Sequence, residues 1–327
     1  MIPAIPVFAF ESGWLVPILL VAAAPLAFFV LYTAIVCILF LPTMLRVFDE
    51  SPVVAPPDEE PDPRAVNVRF QAADGASLQG SWLAAAGVRR GVVIFCHEFL
   101  ANRWSCRPYC DPLQQNGYDI FTFDFRGHGE SNQRANYLPM QYVSNHELQD
   151  VQAAIAHVCS RSSGEPPWIG LIGVSRGGGA AILAAAGNTA VRAVATDGAF
   201  PTNLAQLAYM LRWAKIYVGE GVLYRITPDW YYSFLCWIAR FFGARRHGCR
   251  FLQVTGAVGK LSSRPLLMIH GAKDNLVAPE VARQLFDLAG EPKQFWLVSE
   301  ARHNGAIQVA RQEYGRRLLE FFGASHS

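Results

Sequence analysis

The chain has 327 residues, of which 52% are hydrophobic and 17% charged, and its formal net charge is +2 at pH 7. This length suits one large α/β domain with additions and exceeds that of a single small domain. The low charged fraction favours membrane association, and the small net charge gives no sign of nucleic-acid binding. Seven cysteines without paired spacing argue against a disulfide scaffold and favour a reducing compartment.

The first feature along the chain is a segment of 28 residues, Trp14 to Leu41, without a charged side chain. A membrane-spanning helix needs about 20 apolar residues, so the segment is long enough even if it kinks at Pro25. A cleaved signal peptide is the alternative, but that class has a basic start and a shorter apolar core. We predict an uncleaved N-terminal membrane anchor over residues 1–45. Arg46 favours a cytoplasmic position for the domain that follows.

A linker rich in proline and acidic residues follows over residues 46–64. Its stretch from Asp49 to Pro63 holds five prolines, six acids and no basic residue. Such a composition cannot pack a core, and its negative charges repel one another. We predict an extended spacer that holds a globular domain of residues 65–327 away from the membrane.

From residue 65 onward, strand and helix patterns alternate. Two alternating runs around Asp74-Gly75 indicate a β-hairpin. Continuous apolar runs of strand length follow, as is typical of buried parallel strands: RGVVIFC, YDIFTFDF, PWIGLIGV, VRAVATD, PLLMIHG and KQFWLVS. Helical patterns span Glu147 to Val158, Gly178 to Ala186, Pro279 to Leu288 and Gly305 to Phe322. This order predicts an α/β fold with a mostly parallel central sheet and helices on both faces.

Residues that follow the strands are the candidates for chemistry, because ligands bind at the carboxyl ends of parallel strands. Gly173 to Gly177 reads G-x-S-x-G between a predicted strand and a predicted helix. This pattern puts Ser175 on a sharp turn with an exposed hydroxyl, and the helix N-terminus favours negative charge there. The alternative interpretation is a tight turn that contains a serine by chance.

A nucleophilic serine needs a base, and the base needs an acid that orients it. Asp274 lies just after one apolar run, and His303 lies in the loop after the last run. The order Ser175, Asp274, His303 is the nucleophile–acid–base order of this architecture. Asp197 is the second candidate acid, although we prefer to interpret it as a turn or capping residue.

These motifs resemble the α/β-hydrolase superfamily, in particular its esterase/lipase and serine-aminopeptidase-like branch. The resemblance rests on GVSRGG, FDFRGHGES, IHGAKDNLV and ARHNG, with VIFCHEF as a near match, and covers the chain from about Val66 onward. It implies the α/β-hydrolase fold and a catalytic triad without metal or organic cofactor. Asp124, Arg126 and His128 match a family turn that shapes the floor of the site, so His128 is expected to be structural.

The same resemblance bears on His97, Glu98 and Phe99. The family commonly has His-Gly-x here, and the backbone N–H of x helps to form the oxyanion hole. The resemblance therefore implies that the N–H groups of Phe99 and Arg176 form this hole. Glu98 stands where glycine is usual, and we predict that it adopts a negative φ and points away from Ser175. A metal site at His97 and Glu98 is disfavoured, because neighbours on an extended segment point to opposite sides.

Residues 201–264 interrupt the strand–helix order and are predicted to form a lid. One lid helix is predicted with Thr227 as its N-cap and Gly243 as its end. The insert carries nine basic residues against two acids and is rich in aromatic residues. This suits an acyl-bearing substrate or an anionic membrane surface. The alternative is a helical cap whose aromatic rings pack on the core and whose arginines are solvated.

The sequence predicts a membrane-anchored serine hydrolase that acts on a carboxylic ester, either a lipid or another small acyl ester. A serine peptidase or an acyltransferase stays open, because the same residues serve amides and alcohol acceptors. A non-catalytic, membrane-tethered binding protein is the alternative of a different class. We expect no nucleic-acid partner, and the sequence does not indicate an oligomeric state.

Overall fold

The computed structural model describes residues 15–49, 60–132, 137–162, 164–219, 221, 224–225, 227–261 and 263–325. The chain divides into two compact units, Met1–Val47 and Phe48–Ser327. Of the predicted linker over residues 46–64, residues 46–49 belong to helix α1 (Leu15–Asp49), and residues 60–64 are described with Asp62 buried. Residues 50–59 lie outside the described residues.

The first unit contains most of helix α1 (Leu15–Asp49). The segment from Val21 to Arg46 has 26 residues and a mean hydropathy of 2.5, and none of it is buried inside the protein. Pro25 and Pro42 lie within the helix. By length and composition, α1 is able to cross a bilayer.

The second unit is built on one eight-stranded sheet. Its strands are β1 (Val66–Gln71), β2 (Ser77–Leu83), β3 (Gly91–Cys96), β4 (Tyr118–Phe123), β5 (Ile169–Val174), β6 (Val191–Asp197), β7 (Leu266–Gly271) and β8 (Lys293–Val298). Their order across the sheet is β1-β2-β4-β3-β5-β6-β7-β8. β2 pairs antiparallel with β1 and β4, and all other neighbours are parallel. The predicted hairpin and mostly parallel sheet are confirmed.

Helices surround this sheet. They are α2 (Arg107–Gln115), α3 (Asn145–Ser160), α4 (Arg176–Ala186), α5 (Thr202–Val218), α6 (Asp229–Arg246), α7 (Val254–Val258), α8 (Pro279–Asp287), α9 (Ala306–Val309) and α10 (Arg311–Ala324). The start of α3 shows how local sequence fixes a boundary. Ser144 caps the helix by accepting from the His146 N–H, and the Glu147 carboxylate accepts from the Ser144 N–H at 2.8 Å.

The strands are apolar throughout because both faces of the sheet are buried. Along β3, Val92 and Ile94 belong to the core on the side of α3 and α4. Val93 and Phe95 belong to the core on the other side, with α2 and α10. The sheet lies between these two layers. Parallel pairing of its strands brings the carboxyl ends of β3, β5, β6, β7 and β8 to one edge of the sheet.

The lid helix α6 differs from its predicted bounds at both ends. It begins at Asp229 with Pro228 in the N-cap position, one residue after the predicted cap Thr227. Gly243 does not end it: this glycine is buried inside the helix, which continues to Arg246. The left-handed residue that follows the helix is Gly248, with φ 62°.

Two other helical regions also differ from prediction. The single helix predicted from Gly305 to Phe322 is two helices, α9 and α10, separated at Ala310, whose φ of −132° is not helical. Helix α2 was not predicted, because Pro108 and Pro112 obscure its pattern. Pro108 lies in the first turn, where proline is tolerated because its missing N–H would have no partner within the helix.

Candidate active site

The turn between β5 and α4 holds Ser175 in a strained conformation. Its φ is 51° and its ψ is −117°, a region that residues other than glycine rarely occupy. Two glycines allow the close approach that the turn requires. A Cβ on Gly173 would lie 2.4 Å from the Gly177 carbonyl oxygen, and one on Gly177 would lie 2.2 Å from the Cys96 carbonyl oxygen. Helix α4 starts directly after the serine, so its N-terminus lies beside the hydroxyl.

Ser175, His303 and Asp274 form a chain of hydrogen bonds. Ser175 Oγ lies 2.9 Å from His303 Nε2, and His303 Nδ1 lies 2.6 Å from Asp274 Oδ2. All three side chains are buried. The other carboxylate oxygen of Asp274 accepts from the N–H groups of Leu276 and Val277, at 2.9 and 2.8 Å. Both carboxylate oxygens of Asp274 are therefore hydrogen-bonded.

These contacts assign the tautomer of His303. The carboxylate of Asp274 only accepts, so His303 Nδ1 carries the proton and donates it. His303 Nε2 then has a free lone pair toward Ser175, and the serine hydroxyl donates to it. This is the arrangement in which an imidazole can remove a proton from a serine.

The predicted second acid, Asp197, occupies a different position. Its main-chain carbonyl accepts from the Ser175 N–H at 2.7 Å and so supports the nucleophile turn. Its side chain is buried, and burial raises the pKa of Asp197 to about 8. His303 Nδ1 is hydrogen-bonded to Asp274 Oδ2 at 2.6 Å, so of these two acids Asp274 is the one that contacts the histidine.

The loop after β3 brings the predicted oxyanion residues beside the nucleophile turn. His97 Nε2 accepts from the Phe125 N–H at 3.0 Å, so its Nδ1 carries the proton and donates to the Glu98 carbonyl at 2.6 Å. Burial also lowers the pKa of His97 to about 3, which keeps the ring neutral. Both ring nitrogens thus serve to fix the loop, and neither is free for a metal.

Phe99, in the loop after β3, and Arg176, at the start of α4, are neighbours. The guanidinium of Arg176 lies 5.2 Å from the centre of the Phe99 ring. Within the described part of the chain, neither backbone N–H donates a hydrogen bond to another group. Arg176 is the first residue of α4, where an N–H has no partner inside the helix. Unpaired N–H groups of this kind are the donors that an oxyanion hole requires.

Glu98 has the negative φ that was predicted. Among the described non-glycine residues, the left-handed ones are Leu100, Ser175 and Asn304, so the loop turns at Leu100 and not at Glu98. The Glu98 carboxyl is buried and accepts from Ser105 Oγ at 3.2 Å, and its other oxygen has no partner in the described part of the chain. Burial raises the pKa of Glu98 to about 7.

The side chain of Arg176 forms a buried polar network that the sequence did not reveal. Its Nη1 donates to the Met140 carbonyl at 2.9 Å and lies 3.5 Å from Glu147 Oε1. Its Nη2 faces His128 Nε2 at 3.4 Å. Burial, and then the charge of Arg176, lower the pKa of His128 well below its usual value, so His128 is a neutral acceptor. This position agrees with the expected structural role of His128. Glu147, which caps α3, was the sequence feature from which a buried partner for Arg176 could have been expected.

The turn predicted to form the floor of the site is held by buried ion pairs. Asp124 accepts from the backbone N–H groups of Arg103 and Glu130, at 2.7 and 2.9 Å. Arg126 pairs with Asp150 at 2.6 Å and with Asp74 at 2.7 Å. None of these groups contacts Ser175 or His303, so they support the site without facing the reacting atoms.

Aromatic side chains lie beside the histidine. The ring of Phe200 is 6.4 Å from the ring of His303, and Tyr142 lies 6.2 Å from Phe200 and 6.3 Å from Phe251. Phe251 belongs to the insert, so the insert contributes to an apolar wall next to the site. In the described part of the chain, no three His, Cys, Asp or Glu side chains form a group that could hold a metal ion.

Comparisons with known proteins agree with this architecture. A family profile described as alpha/beta hydrolase fold matches residues 91–231. The uncharacterized protein YfhR of Escherichia coli O157:H7 is 28% identical over 309 residues, which cover 91% of this chain and 94% of that protein. The polyketide transferase ATR5 of Stachybotrys chlorohalonatus is 24% identical over 310 residues, 78% of this chain and 98% of its own length.

Solved structures share the fold. The Pyrococcus furiosus esterase Pf2001 superposes with a TM-score of 0.62 at 23% identity, covering 85% of this chain and 98% of its own. The esterase EaEST from Exiguobacterium antarcticum gives a TM-score of 0.55 at 18% identity, covering 78% and 99%.

Proposed function

We propose that this chain is a membrane-anchored serine hydrolase of the α/β-hydrolase superfamily that cleaves carboxylic esters. The family profile over residues 91–231 and the fold shared with solved esterases support this proposal. One observation carries the catalytic part of this proposal. Ser175, His303 and Asp274 are joined by hydrogen bonds of 2.9 and 2.6 Å at the edge of the sheet.

In the first half-reaction, Ser175 Oγ attacks the ester carbonyl carbon. His303 Nε2 takes the hydroxyl proton as the C–O bond forms, and Asp274 stabilises the imidazolium that results. The carbonyl oxygen becomes an oxyanion. The backbone N–H groups of Phe99 and Arg176 receive this charge, and the loss of one such donor typically costs about 3 kcal/mol.

The tetrahedral intermediate then collapses to an acyl-enzyme. His303 returns its proton to the alkoxide leaving group, which departs as an alcohol. In the second half-reaction, water replaces the alcohol and His303 again accepts the proton, so that the acid is released and Ser175 is regenerated. The residues present supply each proton transfer without another catalytic group.

A long acyl group is the preferred acyl part of the substrate because aromatic residues lie beside His303. Phe200 and Tyr142 offer surface to an acyl chain, and burial of acyl methylene groups contributes about 0.8 kcal/mol each. A series of p-nitrophenyl esters of increasing acyl length tests this point. We expect kcat/KM to rise from acetate to octanoate, and a preference for acetate would contradict a lipid or long-acyl substrate.

Acyl transfer is the second candidate, because the relative ATR5 is named a polyketide transferase. The acyl-enzyme would then pass its acyl group to an alcohol in place of water. Product analysis in the presence of glycerol distinguishes the two outcomes. A hydrolase releases mainly the free acid, whereas a transferase forms mainly the glycerol ester.

The kinetic experiment follows the first turnover and then the steady state, and it compares the wild-type chain with Ser175→Ala. We expect the wild type to release p-nitrophenol in a burst and the variant to lose at least about 10³-fold in kcat, because the attacking oxygen is gone. Equal turnover by the variant would refute the serine mechanism. If neither chain hydrolyses the esters, the non-catalytic binding protein is the remaining alternative.

Membrane anchoring through α1 is the second part of the proposal. Its 26-residue apolar segment supports it, and Arg46 supports a cytoplasmic domain. Alkaline carbonate extraction of membranes from expressing cells tests the anchor, because a spanning helix stays in the membrane pellet. A cleaved signal sequence would instead give a shortened chain in the supernatant. Protease protection of sealed vesicles tests the side on which the domain lies.

A further inference from the structure

Helix α6 has two apolar faces, and one of them is turned away from the protein. The inner face consists of buried residues: Tyr231, Tyr232, Leu235, Cys236, Ala239 and Gly243. Opposite to it lie Trp230, Phe234, Trp237 and Phe241, which we call the outer stripe. At 3.6 residues per turn, their spacings of four, three and four residues keep them within about a quarter of the helix circumference.

Three of the four rings in the outer stripe are exposed to solvent, and the fourth, Phe234, is half-buried. Trp230 is 60% exposed, Trp237 57% and Phe241 43%. The rings of Phe234 and Trp237, and those of Trp237 and Phe241, stack with centroids 6.1 Å apart in each pair. A helix that is apolar on both sides is normally covered on both sides. A contiguous exposed apolar row of this kind marks an interaction surface.

Basic groups stand at the C-terminal end of this row. The guanidinium of Arg245 lies 4.3 Å from the centre of the Phe241 ring, and Arg246 and Arg250 are exposed just beyond it. The whole insert, residues 201–264, carries nine basic residues against two acids. Aromatic rings next to arginines suit the boundary between acyl chains and anionic headgroups, where tryptophan is enriched and basic residues bind phosphate.

We propose that the outer stripe of α6 docks on the surface of an anionic lipid bilayer. The rings would enter the boundary region of the bilayer, and Arg245, which lies against Phe241, would lie among the headgroup phosphates. This docking rests on the proposed membrane anchoring, because the anchor is what keeps the domain close to a bilayer. It does not depend on the chemistry of Ser175.

Docking would give the insert a role in substrate access. The insert begins directly after Phe200, whose ring lies 6.4 Å from that of His303. Phe251, which follows α6 in the insert, contacts Tyr142 of the same aromatic cluster, so docking of α6 would hold this part of the insert near the bilayer.

The test uses the full chain at one copy per nanodisc, with a phospholipid that carries a diazirine on its acyl chain. After irradiation, mass spectrometry locates the lipid adducts. We expect adducts on peptides from residues 229–246 in discs that contain phosphatidylglycerol, and several-fold fewer in pure phosphatidylcholine or at high salt. Adducts on α1 alone would overturn the docking while they support the anchor.

Two sets of variants sharpen the result. Trp237→Ser with Phe241→Ser should lower the α6 adduct yield by about tenfold or more, because the apolar contact is lost. Arg245→Gln should lower it several-fold in phosphatidylglycerol discs but not in phosphatidylcholine discs. Val88→Ser, at a residue that is 88% exposed outside the insert, is the matched control and should change nothing.

Three readouts keep the possible failures apart. Adducts on α1 report anchoring, hydrolysis of a soluble acetate ester by the same discs reports the serine chemistry, and α6 adducts report docking. Unchanged α6 adducts in both variant sets would refute the outer stripe as the docking surface. Protein–protein cross-links through α6 in vesicles with many copies, without α6 lipid adducts in single-copy discs, would identify a second copy as the occupant and overturn the proposal.

Discussion

Replacement of Asp274 by asparagine should disable the site by reversing the tautomer of His303. One oxygen of Asp274 accepts from the N–H groups of Leu276 and Val277 at 2.9 and 2.8 Å. An asparagine must keep its oxygen there, because its NH₂ group would otherwise face two donors. The NH₂ group is then left toward His303 Nδ1, at the position of the present 2.6 Å bond.

A donor at that position forces His303 Nδ1 to become the acceptor and moves the ring proton to Nε2. His303 Nε2 can then no longer accept the proton of Ser175 Oγ. We expect kcat/KM to fall about 10⁴-fold, which corresponds to about 5.5 kcal/mol of transition-state stabilisation. Hydrolysis of p-nitrophenyl acetate measures the loss, and thermal unfolding checks that the variant is folded.

Asp197→Asn is the matched control. Asp197 is also buried at a strand end, but burial raises the pKa of Asp197 to about 8, so its carboxyl is mostly protonated at pH 7 and asparagine is a close substitute. We expect this variant to keep activity within about tenfold of wild type. A folded Asp274→Asn protein with more than a tenth of wild-type activity would refute the reasoning, as would a larger loss in Asp197→Asn.

Three further predictions follow from packing and titration. Burial raises the folded-state pKa of Glu98 to about 7, so the wild type loses stability as pH rises from about 4.5 to 7, because the carboxyl ionises more readily in the unfolded chain. Glu98→Gln has no such carboxyl and should therefore gain up to about 3 kcal/mol of stability relative to the wild type over this range. Melting temperatures across this pH range measure the effect, with exposed Glu165→Gln as control; a constant difference would contradict it. Gly177→Ala should abolish activity or folding, because its Cβ would lie 2.2 Å from the Cys96 carbonyl oxygen; a wild-type rate in the purified variant would show that the turn tolerates a side chain. Glu147→Gln should destabilise the fold by about 3 kcal/mol in urea unfolding, because it leaves Arg176 buried without its partner charge; a loss below about 1 kcal/mol would indicate that the Met140 carbonyl suffices.

The arrangement at the sheet edge could be predicted because each of its residues lies within a few positions of the end of an apolar run. Parallel strands bring their carboxyl ends together, so the order of Ser175, Asp274 and His303 along the chain was enough to expect proximity. Their hydrogen bonds of 2.9 and 2.6 Å agree with that expectation. The hairpin and the parallel sheet followed from the same patterns.

Features that depend on the path of a loop could not be predicted. The environment of Glu98 is one example, because its contact with Ser105 forms only when the loop turns back at Leu100. The end of α6 is another. Glycine often ends a helix because it readily adopts the left-handed conformation that follows the last turn. In α6, Gly243 is buried and helical, and Gly248 is the residue that adopts the left-handed conformation.

The sequence of α6 also left open whether its aromatic residues pack inward or face outward, and both occur. Tyr231 and Tyr232 are buried against the protein, whereas Trp230 and Trp237 are exposed. A helical pattern with two apolar faces does not say which face the rest of the chain covers. That choice is made by tertiary packing.

The central claim is that Ser175 is the nucleophile, and a fluorophosphonate probe tests it most directly. The probe phosphonylates an activated serine, and peptide mass spectrometry locates the adduct. We predict a single adduct on Ser175 of the wild-type chain, its loss in Ser175→Ala, and labelling slowed by at least about 10²-fold in His303→Ala. A wild-type chain that remains unlabelled, or an adduct at another serine that persists in Ser175→Ala, would contradict the proposed mechanism.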